Sequence, residues 1–225
     1  MKLTSFGGEL TGSPHWSPDG KQIVFDRRPG GIEEWLMDAN GSNLRPLNTE
    51  ADVPIWSRDG RSIYYHSERK GSGGGQIWRQ SLSADQRSPE GPPVQITRMG
   101  GFSAFESYDG KTVFYTIFGS DGIWSVPSAG GPETRVTDSP KSGFWGDWAI
   151  SEAGLYSLNC HISPRCTFEF HNFKTRKTTL LLQVEEDHVG ITRNPGVTAS
   201  RDGKTLIYTL FRPPYNHISI TELLP

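Results

Sequence analysis

The sequence predicts an all-β fold, a β-propeller of about five four-stranded antiparallel blades. Three observations carry this: a turn motif that returns at the length of one blade, a short apolar run after each copy, and a composition of turn-formers and aromatics. The 225 residues include 26 glycines, 16 prolines and 11% aromatics. Gly and Pro punctuate short strands, and aromatic rings suit pleated surfaces. No 3.6-residue apolar stripe, as a helical solenoid would need, accompanies the repeat.

Trp16-Ser17-Pro18-Asp19-Gly20-Lys21 recurs as Trp56-Ser57-Arg58-Asp59-Gly60-Arg61, as Glu106-Ser107-Tyr108-Asp109-Gly110-Lys111 and as Ala199-Ser200-Arg201-Asp202-Gly203-Lys204, with an eroded copy at Ile150-Ser151-Glu152-Ala153-Gly154. The glycines at 20, 60, 110, 154 and 203 stand 40, 50, 44 and 49 residues apart, the length of one blade. Each Asp-Gly pair reads as a turn from an inner strand to the next. The aspartate accepts nearby backbone N–H groups, and glycine supplies the positive φ. Asp19, Asp59, Asp109 and Asp202, with Gly20, Gly60, Gly110 and Gly203, are therefore structural residues, not calcium ligands.

Second strands follow at Ile23-Val24-Phe25, Ile63-Tyr64-Tyr65, Val113-Phe114-Tyr115, Leu155-Tyr156 and Leu206-Ile207-Tyr208. Such continuous apolar runs belong to strands buried on both faces. Third strands read at Trp35-Leu36-Met37, Ile77-Trp78, Ile123-Trp124, Phe168-Glu169-Phe170 and Ile218-Ser219-Ile220. Outer strands read at Leu44 to Leu47, Val94 to Thr97, Arg135 to Thr137 and Thr179 to Leu182. The blades span 13–49, 53–98, 102–138, 144–184 and 196–225 of one domain, 1–225. The fifth lacks an outer strand, and residues 1–5, with Lys2-Leu3-Thr4 resembling Gln95-Ile96-Thr97, are expected to supply it and close the ring. A closed ring would be a monomer; the competing architecture is a fragment of a seven- or eight-bladed propeller.

The net charge of −2 and pI near 6.3 offer no basic face for phosphates, so direct nucleic-acid binding is not expected. No run approaches the roughly 20 apolar residues of a membrane-spanning helix, so no membrane insertion is expected. Six scattered histidines give no metal set. Gly71 to Gly75 lacks the Lys-Ser/Thr ending of a phosphate loop, and no G-x-S-x-G elbow occurs. Neither a metal, a cofactor nor an enzymatic activity is expected. Cys160 and Cys166 flank a turn, either as a disulfide or as two free thiols.

The Trp-Ser-Pro-Asp-Gly copies, with an apolar second strand and an Ile-Trp third strand, resemble the WD-like propeller repeats of the TolB family across nearly the whole chain. Trp148 to Tyr156 and Phe170 to Lys177 are also similar to the C-terminal propellers of some bacterial winged-helix transcriptional regulators. That likeness implies the sensory or interaction part of a larger bacterial protein, cytoplasmic or periplasmic according to its parent.

In such a blade, the loops from second to third strands and the loops between blades emerge on one face, around the channel mouth. There the sequence gathers Arg27, Arg28, Arg212 and Tyr215 from the former, and Asp52, Phe102, Phe144, Trp145 and Asp147 from the latter. Arginine beside exposed aromatics is the composition of binding hot spots. The expected function is non-catalytic protein or peptide binding, with an acidic or phosphorylated peptide suiting the arginines. The alternatives are a glycosidase-like ring using Asp52, Glu106 and Asp147, since glycoside hydrolysis needs two separated acids, or the propeller of a peptidase.

Overall fold

The computed structural model describes residues 3–6, 10–141, 146–159, 166–183, 196–212 and 215–222, the stretches 210–212 and 215–222 through their backbone alone. The regular elements among them are strands, and the chain divides into two compact units. Residues 1–113 with 126–133 form the first, and 114–125 with 134–225 the second.

The first unit holds two complete sheets. One is β1 (Leu10–Trp16), β2 (Gln22–Arg28), β3 (Glu33–Asp38) and β4 (Arg45–Thr49); the other is β5 (Asp52–Trp56), β6 (Ser62–Ser67), β7 (Gln76–Leu82) and β8 (Pro89–Gln95). A third sheet, β9 (Ser103–Glu106), β10 (Thr112–Thr116), β11 (Ile123–Pro127) and β12 (Thr134–Thr137), contributes strands to both units. The second unit continues with β13 (Trp148–Ile150), β14 (Gly154–Asn159), β15 (Thr167–Asn172) and β16 (Lys177–Gln183), then with β17 (Val197–Ala199), β18 (Thr205–Arg212) and β19 (Tyr215–Glu222). Every sheet runs in chain order and its strand pairs are antiparallel, as in a propeller blade.

The repeated turn builds itself from its own side chains. Ser17 Oγ donates to Asp19 Oδ1 at 2.7 Å and accepts from Gln22 N at 2.9 Å, while Lys21 N donates to Asp19 Oδ1 at 3.1 Å. The same bonds recur at Ser57 and Asp59, Ser107 and Asp109, and Ser200 and Asp202. Gly20, Gly60, Gly110 and Gly203 hold φ between 69° and 72°, where a Cβ would strain the backbone. A further copy joins β7 to β8, where Ser83 and Asp85 make these bonds around Gln86 at φ 59°. Without a glycine it escapes the sequence pattern.

Apolar runs fill the space between sheets. In the first unit, Trp56 packs with Ile63 and Leu82 of its own sheet against Val24, Leu36 and Leu47 of the preceding one. In the second, Ala149, Tyr156, Leu158 and Phe168 pack against Val197, Leu206 and Tyr208. Cys166 lies buried in that cluster and is disulfide-bonded. Cys160 lies outside the described residues.

One expectation differs from the structure. The outer strand of the second sheet is Pro89–Gln95 rather than 94–97. Thr97 is taken instead by its hydroxyl, which accepts from Ile77 N at 2.9 Å. The described residues also do not show the predicted pairing of the N-terminal segment with the last sheet. Residues 3–6 form no strand, and Leu3 and Phe6 find burial against Ile23, Phe25 and Met37 of the first sheet. The last sheet has three strands among the described residues, and Lys2 lies outside them.

Candidate functional site

At the end of the first two sheets opposite their Asp-Gly turns, the apolar core gives way to a buried polar cluster. Its first element is a repeated irregularity. β1 and β5 each carry a bulge over Gly12-Ser13-Pro14-His15 and Asp52-Val53-Pro54-Ile55, with Ser13 at φ 47° and Val53 at φ 48°. A β-branched residue at positive φ costs on the order of 1–3 kcal/mol and persists only where its surroundings hold it. The bulges bring Gly12 and Asp52, equivalent positions of the repeat, beside Asp26 on β2. A Cβ on Gly12 would lie 3.1 Å from Asp26 Oδ1, so glycine there leaves the carboxyl its place.

Asp26 and Asp52 are buried, and Arg28 lies between them. Its Nη2 donates to Asp52 Oδ2 at 3.1 Å, and its Nε is 3.9 Å from Asp26 Oδ1. Burial raises the Asp26 pKa above the usual value, and the Asp52 charge adds to the rise against the opposing Ser13 hydrogen bond and Arg28. Directly across the strand pair from Asp26 is Glu34, fully buried, accepting from Asn48 Nδ2 at 2.8 Å through Oε2. Its Oε1 has no hydrogen-bond partner among the described residues, and burial pushes its pKa up to about 8. Glu34 is therefore mainly a neutral acid at pH 7.

Aromatic groups surround the acids. Arg27 stacks over Phe6 at 4.2 Å and Trp35 at 4.8 Å. Arg69 lies over Tyr65 at 5.7 Å and Trp78 at 5.4 Å. His66, across from Asp52 in the register, meets Phe102 edge-on at 5.2 Å. Burial lowers the His66 pKa, against the pull of Asp52 and Glu68, so its ring favours the neutral form. Phe102 is delivered by a crossover fixed through Gln76, whose Oε1 accepts from Thr97 Oγ1 at 2.9 Å and from Gly100 N at 3.2 Å.

Of the residues the sequence gathers at the mouth, the first unit thus contains Arg27, Arg28, Asp52 and Phe102, around a cluster that loop-based reasoning overlooks. Asp147 is buried in the second unit, where its carbonyl accepts from Leu158 N at 2.7 Å. Phe144 and Trp145, and the side chains of Arg212 and Tyr215, lie outside the described residues. Glu106 sits toward the Asp-Gly end instead, accepting from Tyr64 Oη at 2.8 Å and Arg58 N at 2.6 Å. Asp26 and Glu34 left one signal in the sequence. The sixth residue after the turn glycine is polar in four copies, Asp26, His66, Thr116 and Thr209, where the second strand is otherwise apolar. Among the described residues no group of three or more His, Cys, Asp or Glu side chains has the geometry to hold a metal ion.

Sheets of this topology with this repeat define a β-propeller, and solved structures agree. TolB from Acinetobacter baumannii superposes with a TM-score of 0.74 at 18% identity, over 96% of this chain and 52% of that one. A putative TolB from Agrobacterium tumefaciens follows at 0.70 and 16%, over 96% and 78%. The β-propeller domain of the Trilobed protease from Pyrococcus furiosus gives 0.56 and 12%, over 94% and 68%. The fold is TolB-like, and the chain spans about half the length of the A. baumannii protein. No family model and no curated protein matches the sequence. The likeness to regulator propellers gains no support from these comparisons. Among the described residues no helix is long and apolar enough to cross a membrane.

Proposed function

We propose that this propeller is a non-catalytic binding module that presents the polar end of its first two sheets to a protein or peptide partner. The observation supporting this is the pair of bulges. Strain at Val53 is maintained at the place where Arg28, Asp26 and Asp52 are held together, as expected of a preorganised recognition surface. Phe102 and the stacked Arg27 add the aromatic and arginine contacts typical of binding hot spots. A photo-crosslinking residue at Phe102 should capture a partner in cells, and one at Asn40, near the Asp-Gly end, should not. Arg28→Glu should abolish the Phe102 adduct. Equal capture from both positions, or from neither, overturns the reading.

One observation favours a hydrolase instead. Asp26, with its raised pKa, neighbours Asp52, and two carboxyls whose environments differ are the pattern of general acid and base. On this reading the purified chain releases sugar from an oligosaccharide, and Asp52→Asn abolishes release. Glu106 instead accepts hydrogen bonds from Tyr64 and Arg58 toward the Asp-Gly end.

A further inference from the structure

We propose that Arg69, stacked on the Tyr65 and Trp78 rings, is the residue of this site that reads a carboxylate group of the partner. The inference rests on the binding role proposed above and assigns that role its ligand chemistry.

Stacked guanidinium groups recur in this chain, and what distinguishes Arg69 is its lack of a polar side-chain partner among the described residues. Arg58, over Tyr108 at 3.8 Å, also donates its Nε to Glu106 O at 3.1 Å. Arg135, over Trp124 at 5.9 Å, pairs with Asp138 at 3.0 Å. Arg28 is held by Asp52. Arg69 is half-buried, its Nε is fully buried without a hydrogen bond, and among the described residues its guanidinium forms no ion pair. A partly dehydrated guanidinium without an acceptor is poised for a planar anion, which it can bind through two parallel N–H bonds. The rings beneath fix its plane and cost it little side-chain entropy on binding.

Glu34 acts on Arg69 by charge but is neutral near pH 7, because burial opposes its ionisation. The charged and titratable groups acting on Glu34 are Arg69 and Asp26, and Tyr65 lies near enough to be influenced by both Glu34 and Arg69. Tyr65 Oη and Trp78 Nε1 are also buried without hydrogen-bond partners among the described residues, two further donors on the rings beneath the guanidinium. These donors lie on Arg69, in the loop after β6, and on the two rings beneath it, and they suit a carboxylate better than an amine.

The test uses the whole chain, labelled with nitrogen-15, following the Arg69 Nε–H and Trp78 Nε1–H signals. The probes are acetyl-hexaglutamate amide, acetyl-hexaglycine with a free C-terminal carboxylate, and acetyl-hexalysine amide. The first or second should shift both signals saturably, distinguishing side-chain from terminal carboxylate, and hexalysine should not. Arg69→Gln should weaken binding by about tenfold or more, and Arg69→Lys, which keeps the charge without the planar fork, by less. Should Arg69→Gln unfold, the Lys variant and the wild-type signals still decide. Carboxylate binding unchanged by either variant overturns the assignment while leaving the peptide site standing. A preference for hexalysine, or no shift with any probe, overturns it as well, and the crosslinking at Phe102 then judges the binding role by itself.

Discussion

Tyr64 on β6 donates its hydroxyl hydrogen to Glu106 Oε1 at 2.8 Å, and Arg58 N donates to Oε2 of the same buried carboxylate at 2.6 Å. Glu106 stands where the first two copies of the repeat carry Trp16 and Trp56, at the end of the inner strand. Where Trp56 fills the space between sheets with a ring, the next sheet fills it with a hydrogen-bonded acid.

It follows that Glu106→Ala destabilises the protein without touching the loop end. It strands a buried Tyr64 hydroxyl and the Arg58 N–H, at a cost of about 2–4 kcal/mol. Glu106→Gln keeps an acceptor and should cost about half as much. Urea denaturation of both variants measures this, and capture through Phe102 should persist in each at temperatures where it is folded.

The turn glycines should differ among themselves although their φ values agree. A Cβ on Gly20 meets nothing within 4 Å, whereas one on Gly203 falls 2.7 Å from Tyr156 Oη and 3.3 Å from Ser151 Oγ. Gly20→Ala should therefore cost about 1 kcal/mol from backbone strain alone. Gly203→Ala should cost about 1–2 kcal/mol more, because Tyr156 also donates to Gly203 O at 2.9 Å and must move. Equal melting temperatures for the two variants would contradict this.

Stability should fall as pH rises across the range in which Glu34 is protonated in the folded chain but not in the unfolded one. Its folded pKa is about 8 against an ordinary 4.5, so the folded state holds the extra proton between these values. The stabilisation is complete below about 4.5 and is lost as pH rises through about 8. The loss is on the order of a few kcal/mol, and Asp26, raised in the same direction, adds to it. Glu34→Gln keeps an acceptor for Asn48 and cannot ionise, so its denaturation midpoint should be much flatter from pH 5 to 9. Parallel profiles for the two proteins would refute this account.

The blade repeat was legible because its turn chemistry is local. Ser17, Asp19 and Gly20 make their bonds within six residues of chain, and the apolar run after them needs no distant partner to be recognised. The polar cluster was not legible in this way. Asp26 and Glu34 lie inside strands, and their burial depends on register across β2 and β3 and on a bulge in β1 that a proline alone does not announce. Arg27 and Arg28 could be placed at the loop end from sequence. That one would stack on Trp35 and the other lie between two aspartates depends on contacts from Glu33 to Asp52 that no local pattern encodes.

Val53 allows the proposed role of the bulge to be tested by its energetics. Replacing a buried valine by glycine ordinarily loses about 1.5–3 kcal/mol of apolar burial, plus about 1 kcal/mol from the freer unfolded chain. At Val53 the left-handed backbone, φ 48°, returns on the order of 1–3 kcal/mol when the β-branched side chain is removed. Val53→Gly should thus cost between about zero and about 3 kcal/mol, roughly 1–3 kcal/mol less than Val113→Gly on β10, which is equally apolar, takes no such return and should cost about 2.5–4 kcal/mol. If the strain serves recognition, the relaxed Val53→Gly loop also holds Asp52 less firmly. Capture through Phe102 should then weaken in Val53→Gly but not in Val113→Gly, although the latter is the more destabilised, a combination that a purely structural bulge would not produce.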